Sequence, residues 1–315
     1  MPLVAERAPT GIVVVDKPEG WTSHDVVARV RRLAGTRKVG HAGTLDPMAT
    51  GVLVLGVESA TRLLTFVVGA DKDYSATIRL GVVTTTDDAE GEVLEQAGAE
   101  LPLPELADQV ARLTGPVDQV PSAVSAIKVD GRRAYARVRA GETVELAARR
   151  VTVHRLQVQD VRPGVAGGTP VVDVDVEVTC SSGTYVRAIA RDLGAALGTG
   201  GHLTALRRTR VGGYGIDRAR TLDELADELA VLPLAQAARA TLPSRELDAE
   251  LARELTFGRR IPVAQDGPAG TRELPVGAFG PDGELVALLA DEQGRSRPVV
   301  VFARPDETGD GPAGP

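Results

Sequence analysis

The chain has 315 residues, 43% hydrophobic and 25% charged, a composition that excludes a fibrous or wholly disordered protein and suits one large domain plus a small one. A lone cysteine, Cys180, rules out an intrachain disulfide and a cysteine metal cluster, and no apolar run reaches the length of a membrane span. The net charge of −7 argues against a polyanionic partner only until it is divided: residues 1–220 hold 27 Lys+Arg against 26 Asp+Glu, whereas residues 221–315 carry a net of −8. The N-terminus lacks a charged-then-apolar leader pattern, so a cytoplasmic location is expected.

In chain order, residues 1–10 are predicted to form a flexible N-terminus, and the unbroken run Gly11-Ile12-Val13-Val14-Val15 predicts a buried strand. Asp16 to Gly20 turns the chain. Thr22 or Ser23 caps a helix with the apolar stripe Val26, Val27, Val30 and Leu33, and Gly35 ends it. The other helix face carries Arg29, Arg31 and Arg32; with Arg37 and Lys38 they make 29–41 a basic stretch without an acidic residue. A glycine-rich loop follows, then a strand over 52–57, a helix near 60–68, and a strand over 73–80. Period two puts Tyr74, Ala76, Ile78 and Leu80 of that last strand on one face. Residues 84–91 read as a polar turn.

A helix near 104–113 leads into a second basic stretch, 128–155, in which Arg132 to Arg139 is expected to form a short helix standing off the body. Strands are predicted at 151–160 and 171–179, with a loose loop from Gly164 to Gly168 between them. Val172, Val174, Val176 and Val178 alternate with Asp173, Asp175 and Glu177, so one face is core and the other wet. A turn at 180–184 then feeds a helix running to about Leu197. Arg187 falls in its first turn, where a cation opposes the helix dipole; it reads equally well as paired with an acidic partner and as a surface arginine. Acidic helical segments at 221–240 form a connector. A helix near 248–256, a hairpin turn at Gly280-Pro281-Asp282-Gly283 and a strand over 299–302 outline a small β-rich domain, and 306–315 reads as a disordered tail.

Several chemistries lack their residues. No phosphate-binding loop and no dinucleotide fingerprint occurs, no nucleophile elbow is present, and His24, His41, His154 and His202 have no zinc-like spacing, so neither a cofactor nor a metal is implied. What stands out is Gly40-His41-Ala42-Gly43-Thr44-Leu45-Asp46-Pro47-Met48-Ala49-Thr50-Gly51. Gly40, Gly43 and Gly51 permit backbone where a side chain would clash, and Pro47 pushes Asp46 towards an extended pose that presents its carboxylate. Taken alone, this loop reads equally well as a turn before a strand and as an active-site loop. Two basic stretches flanking it favour a partner rich in phosphates.

The segment 40–53 resembles the signature of the TruB family of tRNA pseudouridine-55 synthases. Three further blocks agree, in the family's order: Asp16-Lys17-Pro18-Glu19-Gly20-Trp21-Thr22-Ser23, Lys72-Asp73-Tyr74, and Gly183-Thr184-Tyr185-Val186-Arg187 followed by residues 201–209. One departure is Val120-Pro121 where the family pattern has Pro-Pro before the Ser-Ala-x-Lys segment.

The resemblance implies an α+β fold, with a mixed, mainly antiparallel sheet flanked by helices, in a catalytic domain over 11–240. An RNA-gripping insertion is expected at about 120–150, and a PUA-like domain at 245–305. By the same resemblance Asp46 is the catalytic carboxylate, assisted by Arg187, which favours its charged form, and by Tyr74, which stacks on the extruded base. Covalent attack and ribose proton abstraction both remain open to Asp46. Tyr185 and Leu206 line the pocket, His41 enters the T loop, and Lys17 supports the loop or touches phosphate. Lys128, Arg132, Arg133 and Tyr135 fall in the insertion that folds over the T-stem. The implied substrate is the T-stem loop of tRNA, bound by a monomer without a nucleotide cofactor or a membrane. A non-catalytic RNA binder or chaperone and a guide-RNA-dependent synthase are the alternatives.

Overall fold

The structure, a computed structural model, describes residues 8–122, 128–129, 132–133 and 147–303. Ten strands form one sheet: β1 (Gly11–Lys17), β2 (Val39–His41), β3 (Thr50–Val57), β4 (Lys72–Leu80), β5 (Gly115–Gln119), β6 (Arg149–Ala166), β7 (Thr169–Cys180), β8 (Gly201–Val211), β9 (Tyr214–Gly215) and β10 (Leu232–Pro233). Their order is β10-β1-β3-β8-β4-β7-β6-β5, with β2 added to β3 and β9 to β8. All pairs are antiparallel except β3 with β8, where Thr50 and Gly51 lie beside Arg207 and Arg208. That parallel step sits at the sheet's middle, and the loop carrying Asp46 enters β3 there.

The run in β1 is apolar on both faces because both are covered. Val13 and Val15 pack into a core with Val26 and Val30 of α1 (Ser23–Leu33) and Ile189 and Leu193 of α2 (Val186–Ala196). Ile12 and Val14 enter a second core with Leu63, Tyr214, Phe279 and Leu288, which joins the large sheet to a five-stranded C-terminal one. The latter contains the hairpin of Val276–Phe279 and Leu285–Glu292, turned by residues 280–283 as the sequence predicts. On β7 the valines are buried while the wet face pairs across strands: Asp173 accepts both Arg79 guanidinium bonds at 2.7 and 2.8 Å, and Asp175 accepts from Thr77.

Three expectations change. β6 continues through residues 163–166, paired with 169–172 of β7, leaving a turn at Gly167-Gly168 instead of a loose loop, because the cross-strand ladder extends to Ala166 and Thr169. The predicted helix near 60–68 is a 3-10 turn, Glu58–Arg62, followed by a single α-turn, Leu64–Val68. Arg132 and Arg133 do not begin a helix: they pair antiparallel with Lys128 and Val129, so Lys128 opposes Arg133. Tyr135, Arg137 and Arg139, like the N-terminal seven residues and the tail from 304, lie outside the described residues.

Candidate active site

The Asp46 loop is clamped from four directions. Ser23, the first residue of α1, donates from Oγ to the Leu45 carbonyl at 3.1 Å and accepts the Leu45 N–H at 2.9 Å. It is free to do so because Thr22 is the cap, in a reciprocal capping box with Asp25. Lys17, fully buried, donates to three backbone carbonyls, those of Pro18, Trp21 and Pro47, at 2.8 to 3.1 Å. Burial lowers its pKa to about 8. Its amine therefore holds the loop and is not available to touch an RNA phosphate. Arg208 on β8 is buried beneath the loop, with Nε on the Val52 carbonyl at 2.7 Å and its Nη atoms on Gly43 and Thr44. Finally, the Gly20 N–H donates to the Pro47 carbonyl at 2.9 Å.

Two of the three glycines are needed. Gly51 has φ 96° and a Cβ there would lie 2.2 Å from the Arg208 carbonyl oxygen, so the parallel β3–β8 contact requires its absence. Gly43 has φ 86°. Gly40, with ordinary φ and its nearest neighbour at 3.4 Å, shows no comparable constraint.

Held this way, Asp46 faces α2. Arg187 Nη2 lies 3.0 Å from Asp46 Oδ2, while Nη1 lies 3.1 Å from Asp88 Oδ2 and donates to the Thr86 carbonyl at 2.9 Å. The acidic partner of this first-turn cation is thus two carboxylates of different character. Asp88 is 2% exposed and also accepts from the Glu90 N–H and the Thr86 hydroxyl; Asp46 is 37% exposed. A buried Arg–Asp88 pair fixes the guanidinium, and the remaining edge is offered to the solvent-facing carboxylate. Asp88 came from the stretch read as a polar turn. Its signal in the sequence was weak, since Asp87-Asp88 among threonines is ordinary turn chemistry.

Asp46 and Arg187 open onto a cavity of about 320 Å³, lined also by Tyr74, Tyr185, Leu206 and Lys72. Tyr74 is buried, and burial raises its pKa, keeping the phenol protonated. Lys72 is pinned to the carbonyls of Val68 and Ala70, with its pKa lowered by burial to about 8. Such a cavity is at the small end of ligand sites, enough for one nucleobase and its sugar but not a stretch of chain. His41 stands outside this lining, at the end of β2, its ring edge-to-face with His24 at 5.8 Å. Burial and His24 lower its pKa, and its Nδ1 is enclosed without a hydrogen-bond partner. Of the basic residues expected to grip RNA, Lys128 and Arg132 lie on the short two-stranded hairpin.

An ion-paired carboxylate that shares a nucleoside-sized cavity with a buried tyrosine suits an enzyme that acts on a single nucleoside. Comparison with known proteins narrows this class. The family description "TruB family pseudouridylate synthase (N terminal domain)" matches residues 31–186, and two C-terminal descriptions of tRNA pseudouridine synthases match 187–244 and 242–303. The chain is 64% identical over 302 residues to tRNA pseudouridine synthase B of Arthrobacter sp. (strain FB24), covering 95% of this chain and 98% of that one. It is 60% identical to the protein of the same name from Thermobifida fusca (strain YX), over 93% and 98%. Among solved structures, a Cbf5-Nop10-Gar1 complex is similar at a TM-score of 0.74 and 26% identity, covering 96% of this chain and 88% of that one. The chain belongs to the TruB family of pseudouridylate synthases, which makes it an isomerase.

Proposed function

We propose that the protein converts uridine-55 in the T loop of tRNA to pseudouridine, with Asp46 as the catalytic carboxylate. The observation that carries this is the 3.0 Å pair between Asp46 and Arg187 at the cavity. In the reaction the C1′–N1 glycosidic bond breaks, the uracil turns, and a C1′–C5 bond forms. C5 loses its proton and N1 gains one, so substrate and product are isomers. Arg187 pairs with Asp46 and aims its carboxylate. Tyr74 supplies the face on which the detached base rests, and its protonated phenol lies within the same cavity for proton transfer. Tyr185 and Leu206 restrict the escape of the uracil.

His41, neutral because burial disfavours its cation, is the residue that enters the T loop and fills the space of the extruded base; its unpartnered Nδ1 gains a partner in RNA. Lys128 and Arg132 contact the T-stem backbone, and the C-terminal sheet acts as a PUA-like RNA-binding domain. One chain carries every residue named for the site, which supports a monomer, and a tRNA substrate supports a cytoplasmic location. The relatives named tRNA pseudouridine synthase B are 55–64% identical, against 26% for the Cbf5-containing complex, which favours a stand-alone enzyme over a guided one.

The test is an unmodified T-arm transcript, one stem-loop, incubated with the purified chain and no guide RNA. Pseudouridine at the position equivalent to 55 is expected. Tight binding without product would establish the non-catalytic alternative, and product only on adding a guide would establish the guided one.

A further inference from the structure

Gln119, the last residue of β5, is buried, and its carboxamide brackets a single residue of the active-site wall. Oε1 accepts the Tyr185 N–H at 3.0 Å and Nε2 donates to the Tyr185 carbonyl at 3.4 Å. Tyr185 is the N-cap of α2, extended at φ −102° and ψ 106°, with no side-chain cap of its own. The helix itself engages only its carbonyl, which accepts from the Ile189 N–H; the Tyr185 N–H precedes the helical ladder and finds no acceptor within it. Two bonds from one rigid planar group fix both position and orientation, as a ladder bond pair does in a sheet.

The residues following Gln119 repeat the contact. The Val120 carbonyl accepts from Arg191, one turn beyond Arg187 on α2, at 2.8 Å. Ser122 Oγ donates to the Thr86 carbonyl at 3.0 Å, the same oxygen that Arg187 Nη1 reaches at 2.9 Å. Four bonds from 119–122 therefore converge on the start of α2 and on the turn that presents Asp88. None of these residues lines the cavity.

We propose that Gln119 is a positioning residue for the isomerisation, setting the start of α2 so that Arg187 meets Asp46 and Asp88 together. This rests on the catalytic reading of Asp46 and Arg187 given above. A shift of about 1 Å in a positioning element is enough to cost on the order of 100-fold in rate, so the effect should appear in turnover and not in RNA affinity.

Steady-state kinetics on the T-arm transcript test this. Gln119→Leu is expected to lower kcat about 10-fold or more while KM stays within about twofold, since no RNA contact is removed. Gln119→Glu supplies the discriminating readout. Its carboxylate still accepts the Tyr185 N–H but repels the Tyr185 carbonyl, whereas its protonated form restores the donor. Burial at this position raises the introduced carboxyl above its ordinary value of about 4.3, so kcat relative to wild type should rise as the pH is lowered from 8 to about 5, a response that a packing role would not give. A kcat for Gln119→Leu within twofold of wild type overturns the proposal, as does a pH-independent ratio for Gln119→Glu. If Gln119→Leu fails to fold, the Gln119→Glu profile decides alone. Turnover surviving in Asp46→Asn would instead overturn the catalytic reading beneath it.

Discussion

The two sides of the Asp46 loop use cations in opposite ways. Beneath it, Lys17 and Arg208 are buried and give their donors to backbone carbonyls. On the cavity side, Arg187 is nearly as buried but meets two carboxylates as well as one carbonyl. Carbonyls offer partial charge and do not titrate, so the lower pair builds a scaffold. Carboxylates offer a full charge that must be matched, so the upper contact holds a charged pair in a fixed orientation. With Lys72 on the carbonyls of Val68 and Ala70, four cations at one site thus divide: three hold backbone and one meets carboxylates.

The sharpest way to break this division is Asp46→Asn. The amide keeps the shape and a hydrogen bond to Arg187 but removes the charge, and turnover is expected to fall by at least about 10³-fold. Filter binding of the T-arm should change little, because the loop's clamps are untouched. An Asp46→Asn protein that also loses RNA binding would show that the carboxylate belongs to the scaffold.

Next in size is a pair of neighbours on β8. Arg208→Met strips the carbonyls of Gly43, Thr44 and Val52 of a buried donor, and denaturant unfolding should show a loss of about 3 kcal/mol or more. Arg207, pointing the other way, is 42% exposed and paired with Asp16. Arg207→Met is therefore expected to cost less than about 1 kcal/mol. Equal losses would mean that burial does not separate the two roles.

A pH scan sharpens the lower side further. Lys17 has a folded pKa of about 8 against an ordinary 10.5, so the unfolded chain binds the extra proton between these values. Stability then rises with pH across that window: the contribution is complete above about pH 10.5 and is lost as the pH falls through about 8. The stability of wild type relative to Lys17→Met should climb between pH 8 and 10.5, by a few kcal/mol at the order-of-magnitude scale. Lys72, similarly perturbed, is common to both proteins and cancels from the difference.

What could be seen in the chain beforehand follows the same division. Asp46 and Arg187 were legible because each breaks a local rule, an aspartate held before proline among glycines and a cation at a helix start, and broken rules point to partners elsewhere. The strand pattern was legible where alternation was clean, as in β7, or where both faces are buried, as in β1. β8 is not legible as the sheet's central parallel neighbour, since Thr204, Arg207, Arg208, Thr209 and Arg210 mask its apolar face. Asp88, Ser23, Arg208 and Gln119 escaped for one shared reason: each acts on backbone or on a charge more than 20 residues away, and side-chain type at one position carries no trace of a distant carbonyl. Lys17 was seen, and its two options, loop support or phosphate contact, separate only through burial.

Trp21 is the single tryptophan of the chain, 37% exposed, and its carbonyl is held by the same Lys17 amine that holds Pro47 beside Asp46. The molecule therefore carries its own optical reporter, one indole whose emission responds to solvent and to stacked bases, fixed by one lysine to the reacting loop. Seating of RNA against that loop becomes readable in an unlabelled protein, on the time scale of a stopped-flow mixing experiment and before any product has formed.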